Sequence, residues 1–364
     1  SKTSKLLGGN LKKILQFILL STLPLTSNAL TVYQDQSSSL EFDGSLRLIM
    51  EKSSVKYQDE HGNKINRGTD SSSTLRNAGT RFNFRIKHKL DSNNYVIGRL
   101  DFRVDREANN SDRFGDFYTR RAYVGFGNTK YGELTFGKQA TVANDLGFAS
   151  SDYYYGIIPD YLPTSGRSVI RYDYKIDNLQ LSANYQFAEA RDANNRVLPM
   201  AIRQGYTTGA VYRYRLFDYS VIMVDGGISR IYYEPSKRNT SKQIVTAYRF
   251  DIGYLVGKYK FGFDTSYAKG RDPLGDVEKY YFSPGVRYQV NSIIDIYSNY
   301  LWEKENRLRD SVDSVKHKNG ILIGSSFKVR NSVVFYVEGI RTKAKTKELD
   351  RTVLTETESS IGIG

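Results

Sequence analysis

The chain has 364 residues, no cysteine, three histidines, a formal charge of +14 and 39% hydrophobic residues, with 29 tyrosines against one tryptophan. Those figures exclude disulfides, thiolate catalysis and cysteine-based zinc sites. Lys and Arg are dispersed among Asp and Glu, with no basic tail or recognisable module, which argues against nucleic-acid binding.

At the N-terminus, Ser1 to Asn10 are set aside as lying ahead of a processed segment. Lys12 and Lys13 form a basic region, Ile14 to Leu25 an apolar run, and Ser27-Asn28-Ala29 a small-residue cleavage site. The apolar run is shorter than the roughly 20 residues of a spanning helix. Residues 1–29 are therefore expected to be a cleaved export signal, and residues 30–364 one mature domain. Removing Lys2, Lys5, Lys12 and Lys13 takes the charge from +14 to +10, an excess that points to anionic partners or permeants. No later stretch reaches about 18 consecutive apolar residues, so a helical membrane protein is excluded, and the tyrosine-weighted composition favours strands.

From Ser39 onward the chain breaks into short segments of alternating polarity, the period of strands that are wet on one face and apolar on the other. Phe82, Phe84 and Ile86 oppose Arg81, Asn83, Arg85 and Lys87. Leu100 and Phe102 oppose Arg99, Asp101, Arg103 and Asp105, and Tyr248, Phe250 and Ile252 oppose Arg249 and Asp251. Roughly sixteen strands are expected, starting near residues 39, 78, 94, 118, 131, 167, 178, 207, 218, 243, 258, 279, 292, 319, 331 and 350. Short turns at Asp91-Ser92-Asn93, Ile176-Asp177-Asn178 and Arg330-Asn331 alternate with stretches read as long loops, Lys52 to Ser73, Ala190 to Tyr206 and Glu303 to Asn319. An even number of hairpin-connected strands allows a barrel to close, and closure matters because an open edge in lipid leaves backbone groups unsatisfied.

Three blocks carry a resemblance: Leu75 to Phe82, Ala122 to Asn128 continuing through Tyr131 to Lys138, and Ser168 to Tyr174 followed by Leu179 to Tyr185. In order and spacing the chain resembles the general diffusion porins of Gram-negative outer membranes, most closely the Haemophilus-type major porins. The resemblance implies an all-β fold, a 16-stranded antiparallel transmembrane β-barrel with loop 3 folded into the lumen. It also implies a homotrimer in the cell outer membrane, in contact with lipopolysaccharide and passing small hydrophilic solutes and ions. Two departures stand out. Loop 3 lacks the family's Pro-Glu-Phe-Gly-Gly element, and the sequence stops at Gly364 without the usual terminal aromatic, which implies a continuation.

In the resembling family a ladder of basic residues faces carboxylates of loop 3, and charged rings of this kind select ions. The motif positions implied here are Arg81 and Arg120, with Arg167 or Arg171 after the loop and Arg47 on the first strand; Arg99 and Arg103 join by face periodicity. Ala140 to Gly166 is the longest connection, and its carboxylates are Asp145, Asp152 and Asp160, with Asp152 favoured for the constriction because it precedes Tyr153-Tyr154-Tyr155. Arg121 must point away from Arg120 in a regular strand, and an outward position is expected for it near the interface.

His61, His88 and His317 are read as solvated surface residues, with His61 and His317 in loops. They offer little to a catalytic triad or a metal site, and no pair of acids is set for glycoside hydrolysis. No enzyme activity, metal or cofactor is expected. The leading expectation is a passive channel leaning toward anions; the alternative is a structural or adhesive barrel acting through its loops, and a barrel-embedded hydrolase would need a nucleophile, base and orienting group that the sequence does not assemble.

Overall fold

The computed structural model describes residues 29–70, 72–104, 117–192, 196–235, 241–330 and 332–364. The expected export segment up to residue 28, and Asp105 on the second alternating segment, lie outside the described residues. Among the described residues the regular structure is one antiparallel sheet of 21 strands and one 3-10 turn, Val142–Asp145.

The strands begin with β1 (Leu30–Gln34), β2 (Ser38–Ser45), β3 (Leu48–Gln58), β4 (Lys64–Asp70), β5 (Thr74–Asn77), β6 (Arg81–Lys89) and β7 (Asn94–Val104). They continue as β8 (Phe117–Asn128), β9 (Gly132–Ala140), β10 (Ser165–Ile176), β11 (Leu179–Gln186), β12 (Glu189–Arg191), β13 (Val197–Phe217) and β14 (Ser220–Tyr233). The last are β15 (Ile244–Val256), β16 (Tyr259–Asp272), β17 (Gly275–Gln289), β18 (Ile294–Arg309), β19 (Val312–Val329), β20 (Val333–Glu348) and β21 (Arg351–Ile363).

Sequence neighbours pair along the ladder from β6 to β11, β11 pairs with β13, and neighbours pair again from β13 to β21. β21 then pairs with β3, Ile363 standing opposite Met50 and Thr355 opposite Gln58. β2 and β3 act as one strand interrupted at Leu46 and Arg47, and β5 and β6 as one interrupted at Ala78, Gly79 and Thr80, since β2 pairs with β6 and β3 with β5. Side chains bind this double break together: the Arg47 amide donates to Thr80 Oγ1 at 3.0 Å and the Thr80 amide to Asn77 Oδ1 at 2.9 Å.

Burial is inverted relative to a water-soluble core. Tyr248 is 46% and Phe250 53% exposed, whereas Asp251 between Phe250 and Ile252 is 0% exposed. The same holds for Phe263 against Asp264 and for Val337 against Glu338. A contiguous apolar outer surface above a polar inner face is disfavoured in water and suited to lipid. The alternations expected at Arg81 to Lys87, Tyr95 to Val104 and Tyr248 to Ile252 fall on these two faces.

One group of connections is short throughout, as at Asp177-Asn178, Asp218-Tyr219 and Gly257-Lys258. The opposite end differs from expectation. Glu303 to Asn319, read as a loop, is the continuation of β18 and β19 around the two-residue turn Asp310-Ser311, whose φ values are +49° and +65°. Leu349-Asp350, at +48° and +60°, closes β20 onto β21 in the same way, the mirror-image turn that matches strand twist. Most of Lys52 to Ser73 lies in β3 and β4, and Val197 to Tyr206 in β13. The physical reason is that a ladder extending beyond lipid meets water on both faces, so its hydropathy resembles a loop while its hydrogen bonds continue. His317 accordingly lies on β19, its ring 6.3 Å from that of Trp302, and not in a loop.

Candidate functional site

The connection from Thr141 to Thr164 lies along the polar face of the sheet. Its base is closed by the Thr141 amide donating to Thr164 O at 3.0 Å. Arg171 binds its root: Nη1 donates to Thr141 O at 3.0 Å, and the guanidinium pairs with Asp173 at 2.8 Å and with Asp145.

Beyond the root, strand side chains take up the segment's own backbone donors. The Val142 amide donates to Asn184 Oδ1 at 2.9 Å and the Gly147 amide to Asp225 Oδ2 at 2.8 Å. Asp264 Oδ1 accepts from Phe148 at 2.7 Å and from Ala149 at 3.1 Å. Glu338 accepts from the amides of Tyr153, Tyr154 and Tyr155 and from Tyr297 Oη. Tyr155 Oη then reaches Glu51 on β3 at 2.7 Å. The segment thus travels past β11, β14, β16 and β20 to β3. A buried amide left unpaired is costly, so each strand carboxylate fixes one stretch of this path.

Glycine makes room for it. A Cβ at Gly285 would lie 1.9 Å from Ala149 O, and one at Gly262 would lie 2.3 Å from the Phe148 backbone. Gly262 stands opposite Gly285 and also opposite Gly253 in the ladder, so three strands offer bare backbone at one level. Glycine inside a strand commonly marks such a close approach. The segment's apolar side chains pack with the wall: Tyr155 and Ile157 join Ile49, Leu301 and Leu322 in one buried cluster.

A second feature occupies β2 and β6 to β8, strands whose side chains none of these tethers use. Arg81 is opposite Arg103, Arg85 opposite Arg99, and Asp101 opposite Arg121. Arg85 pairs with Asp43 at 2.6 Å and Glu41 at 3.3 Å, while Arg99 Nε donates to Asn83 Oδ1 at 3.0 Å. Asp101, 1% exposed, lies 3.8 Å from Arg103 and within electrostatic reach of Arg81, Arg99, Arg120 and Arg121. Arg47 is in turn an electrostatic neighbour of Arg81.

Arg121 corrects the sequence reading. It shares the face of Asp101, not the outer one, because the register shifts between Asp101 and Phe102: Phe102 pairs with Thr119, leaving Arg120 as an extra residue. A bulge of this kind re-aims side chains, so neighbouring Arg120 and Arg121 both stay near Asp101.

Of the residues anticipated from sequence, Arg47, Arg81, Arg99, Arg103 and Arg120 are gathered in this cluster. Arg167 stands apart from it, with its backbone amide donating to Glu189, and Arg171 binds the segment's root. Asp145 meets Arg171. Asp152 accepts from Ser150 Oγ and lies in electrostatic reach of Lys260, and Asp160 neighbours Arg249. Sequence reasoning missed Asp225, Asp264 and Glu338 as holders of the segment. Their signal was present: a carboxylate directly after an apolar run, Val221 to Val224 before Asp225, Phe261 to Phe263 before Asp264 and Val333 to Val337 before Glu338.

A family model described as Gram-negative porin matches residues 25–347. The major outer membrane protein of Pasteurella multocida strain Pm70 is 22% identical over 371 residues, covering 97% of this chain and 99% of that one. Among solved structures, in-vitro folded OmpT of Vibrio cholerae, an outer membrane protein also solved in a trimer form, aligns with a TM-score of 0.58 at 16% identity over 91% of this chain and 98% of that one. The anion-selective porin from Comamonas acidovorans aligns with a TM-score of 0.54 at 14% identity, covering 88% of this chain and 99% of that one.

Proposed function

The chain belongs to the Gram-negative porin family and forms an outer-membrane channel, and from that premise we propose that residues 30–364 close into a sixteen-stranded barrel whose lumen is narrowed between the Thr141–Thr164 segment and the arginine cluster. The count follows from treating β2 with β3, β5 with β6 and β11 with β12 as single strands, setting β1 and β4 aside as short additions, and taking the β21 to β3 pairing as the closing seam. Residues 1–29 are the cleaved export signal. The observation that carries the constriction is the tethering of consecutive backbone amides of one segment to Asp225, Asp264 and Glu338 on the polar face.

Among the described residues of that cluster the arginines Arg47, Arg81, Arg85, Arg99, Arg103, Arg120 and Arg121 outnumber the carboxylates Glu41, Asp43 and Asp101, so the local field favours anions. The cluster acts through its field on permeating solutes and takes no chemical step. Asp145 is neutralised at the root by Arg171, which leaves Asp152 and Asp160 as the segment's contribution to the opposite wall. A homotrimer fits the outer face, where Phe42, Phe82, Phe84 and Phe117 lie in ring contact at 5.1 to 6.3 Å, an apolar patch on neighbouring strands.

The test is single-channel conductance and reversal potential in a planar bilayer under a salt gradient, comparing wild type with Arg81→Ser. Steps in groups of three with a smaller anion preference in the variant support the reading. A protein that inserts and never conducts would transfer the function to a structural or adhesive role.

A further inference from the structure

One stretch of the polar inner face carries charges that neither the tethers nor the arginine cluster uses. Leu301 on β18 and Ile157 of the Thr141–Thr164 segment share one buried cluster, and a Cβ at Gly320 on β19 would lie 3.5 Å from Ile157 Cδ1. Gly320 stands opposite Leu301, so the next inward residues toward the Asp310-Ser311 turn are Glu303 and Glu305 on β18 and Lys318 and Lys316 on β19. Glu303 faces Lys318, Glu305 faces Lys316, and all four are half-buried. Two columns of opposite sign thus run side by side, about 4.8 Å apart as neighbouring strands are. The segment floors this recess: Tyr161 packs edge-on to Tyr281 with ring centroids 5.1 Å apart, and Tyr281 stands opposite Glu303.

The two columns do not close on each other. Among the described residues neither Lys316 nor Lys318 comes within ion-pair distance of a carboxylate, and Glu303 comes within that distance of no cation. The flanking charges are engaged elsewhere. Lys279 Nζ lies 4.4 Å from the centre of the Tyr161 ring. Arg307 grips Asp272 at 2.8 to 3.1 Å and donates Nε to Glu305 at 3.1 Å. Glu303 has Lys318, Lys279 and Lys316 within electrostatic reach. Tyr161 Oη, an electrostatic neighbour of Glu303 and Glu305, is buried with no hydrogen-bond partner among the described residues, a group whose partner is to be sought in water or a bound solute.

We propose that this recess is a binding station for small zwitterions, free amino acids and dipeptides, whose ammonium lies against Glu303 and Glu305 and whose carboxylate lies against Lys318 and Lys316. The pairing of signs carries the assignment. A lone anion attracted by either lysine is repelled by the acid facing it, and a lone cation meets the reverse, whereas a solute bearing both charges gains at both ends. Half-burial on a wall of low dielectric strengthens each contact relative to open water, and the aromatic floor gives the solute a surface to rest on. The inference deepens the channel reading, since it places the station on the wall of the lumen, and it adds a preference that the arginine cluster does not supply.

The test follows glycylglycine by saturation-transfer difference NMR with the refolded full chain in detergent, beside N-acetyl-glycylglycine, which lacks the ammonium, and glycylglycinamide, which lacks the carboxylate. Wild type is expected to bind glycylglycine about threefold to fivefold more tightly than either capped form, the scale of one modest ion pair lost at one end. E303Q/K318Q removes one charge of each sign and should bind all three alike, while K269Q/E278Q, a pair on the outer rim at 3.3 Å, should keep the wild-type preference. Equal binding of the three by wild type overturns the proposal, as does a preference that survives in E303Q/K318Q. Should that variant fail to fold, E305Q/K316Q takes its place under the same criteria. In planar bilayers glycylglycine should interrupt the wild-type current and leave that of E303Q/K318Q steady, with the reversal potential unchanged because net charge is unchanged. Interruptions of equal frequency in both would overturn the station and leave the channel standing, whereas a protein that never conducts defeats the channel reading and the NMR comparison still decides the binding.

Discussion

Glu338 accepts the backbone amide of Tyr155 at 2.9 Å while its other carboxylate oxygen accepts Tyr297 Oη at 2.6 Å. A single fully buried side chain on β20 therefore fixes the middle of the Thr141–Thr164 segment. Hydrogen bonds to a charged acceptor contribute about 1.5 to 3 kcal/mol each and the donors lose more when left unpaired. Glu338→Ala is expected to lower unfolding stability by about 3 kcal/mol and to give larger, noisier conductance steps, with Glu338→Gln intermediate. Denaturant midpoints and single-channel traces check this; unchanged current noise in both variants would refute the tether.

Gly285 tests the same path without touching charge. Its missing Cβ leaves space for Ala149 O, which a methyl would meet at 1.9 Å. Gly285→Val is expected to displace Phe148 and Ala149 from Asp264, exposing the segment to protease while the barrel remains folded. Limited proteolysis of the folded variant, read by mass spectrometry for cleavage within residues 141–164, reports the displacement. Protection equal to wild type contradicts the close approach.

Asp35, in the turn between β1 and β2, has its carboxyl held down to about 2, chiefly by the Ser38 amide, with help from Tyr33 Oη and the Ser37 amide. A depressed folded value means that the group stabilises the native turn at neutral pH, and that this contribution is lost as pH falls from the ordinary carboxylate range near 4 toward 2. Hydrogen exchange of the β1 amides should accelerate over that window in wild type and be pH-independent, apart from intrinsic exchange, in Asp35→Asn. A wild-type profile parallel to the variant's would remove Asp35 as the cause.

The strand pattern was legible wherever one face met lipid. The strand read as starting near residue 243 begins at Ile244, and the one read near 94 begins at Asn94. Where a hairpin rises into water the alternation fades, so β13 starts at Val197 instead of near 207 and β19 at Val312 instead of near 319. Ser311 and Leu349 adopt positive φ without being glycine, so composition gave no sign of those turns. Arg121 was misplaced because a bulge is a property of two strands in register and one strand's period does not contain it. Face periodicity supplied Arg99 and Arg103 and the resemblance supplied Arg47, Arg81 and Arg120, but the three separate carboxylates that hold the segment are distant in sequence, and only the ladder brings them to one path.

Asp101 gives the most direct reading of the arginine cluster. It is a buried carboxylate opposite Arg121, 3.8 Å from Arg103 and electrostatically coupled to Arg81, Arg99 and Arg120. Asp101→Asn removes one negative charge and keeps nearly the same volume, so the excess of cations grows. A unit charge a few ångströms from a permeating ion in water contributes about 1 kcal/mol, which sets an upper scale of roughly fivefold on the permeability ratio. Anion preference is therefore expected to rise about two- to fivefold in Asp101→Asn and to fall in Arg81→Ser, with reversal potentials moving in opposite directions under the same salt gradient. The opposite signs matter: a general loosening of the wall would shift both variants the same way, so parallel shifts would count against a field set by this cluster even if conductance itself changed.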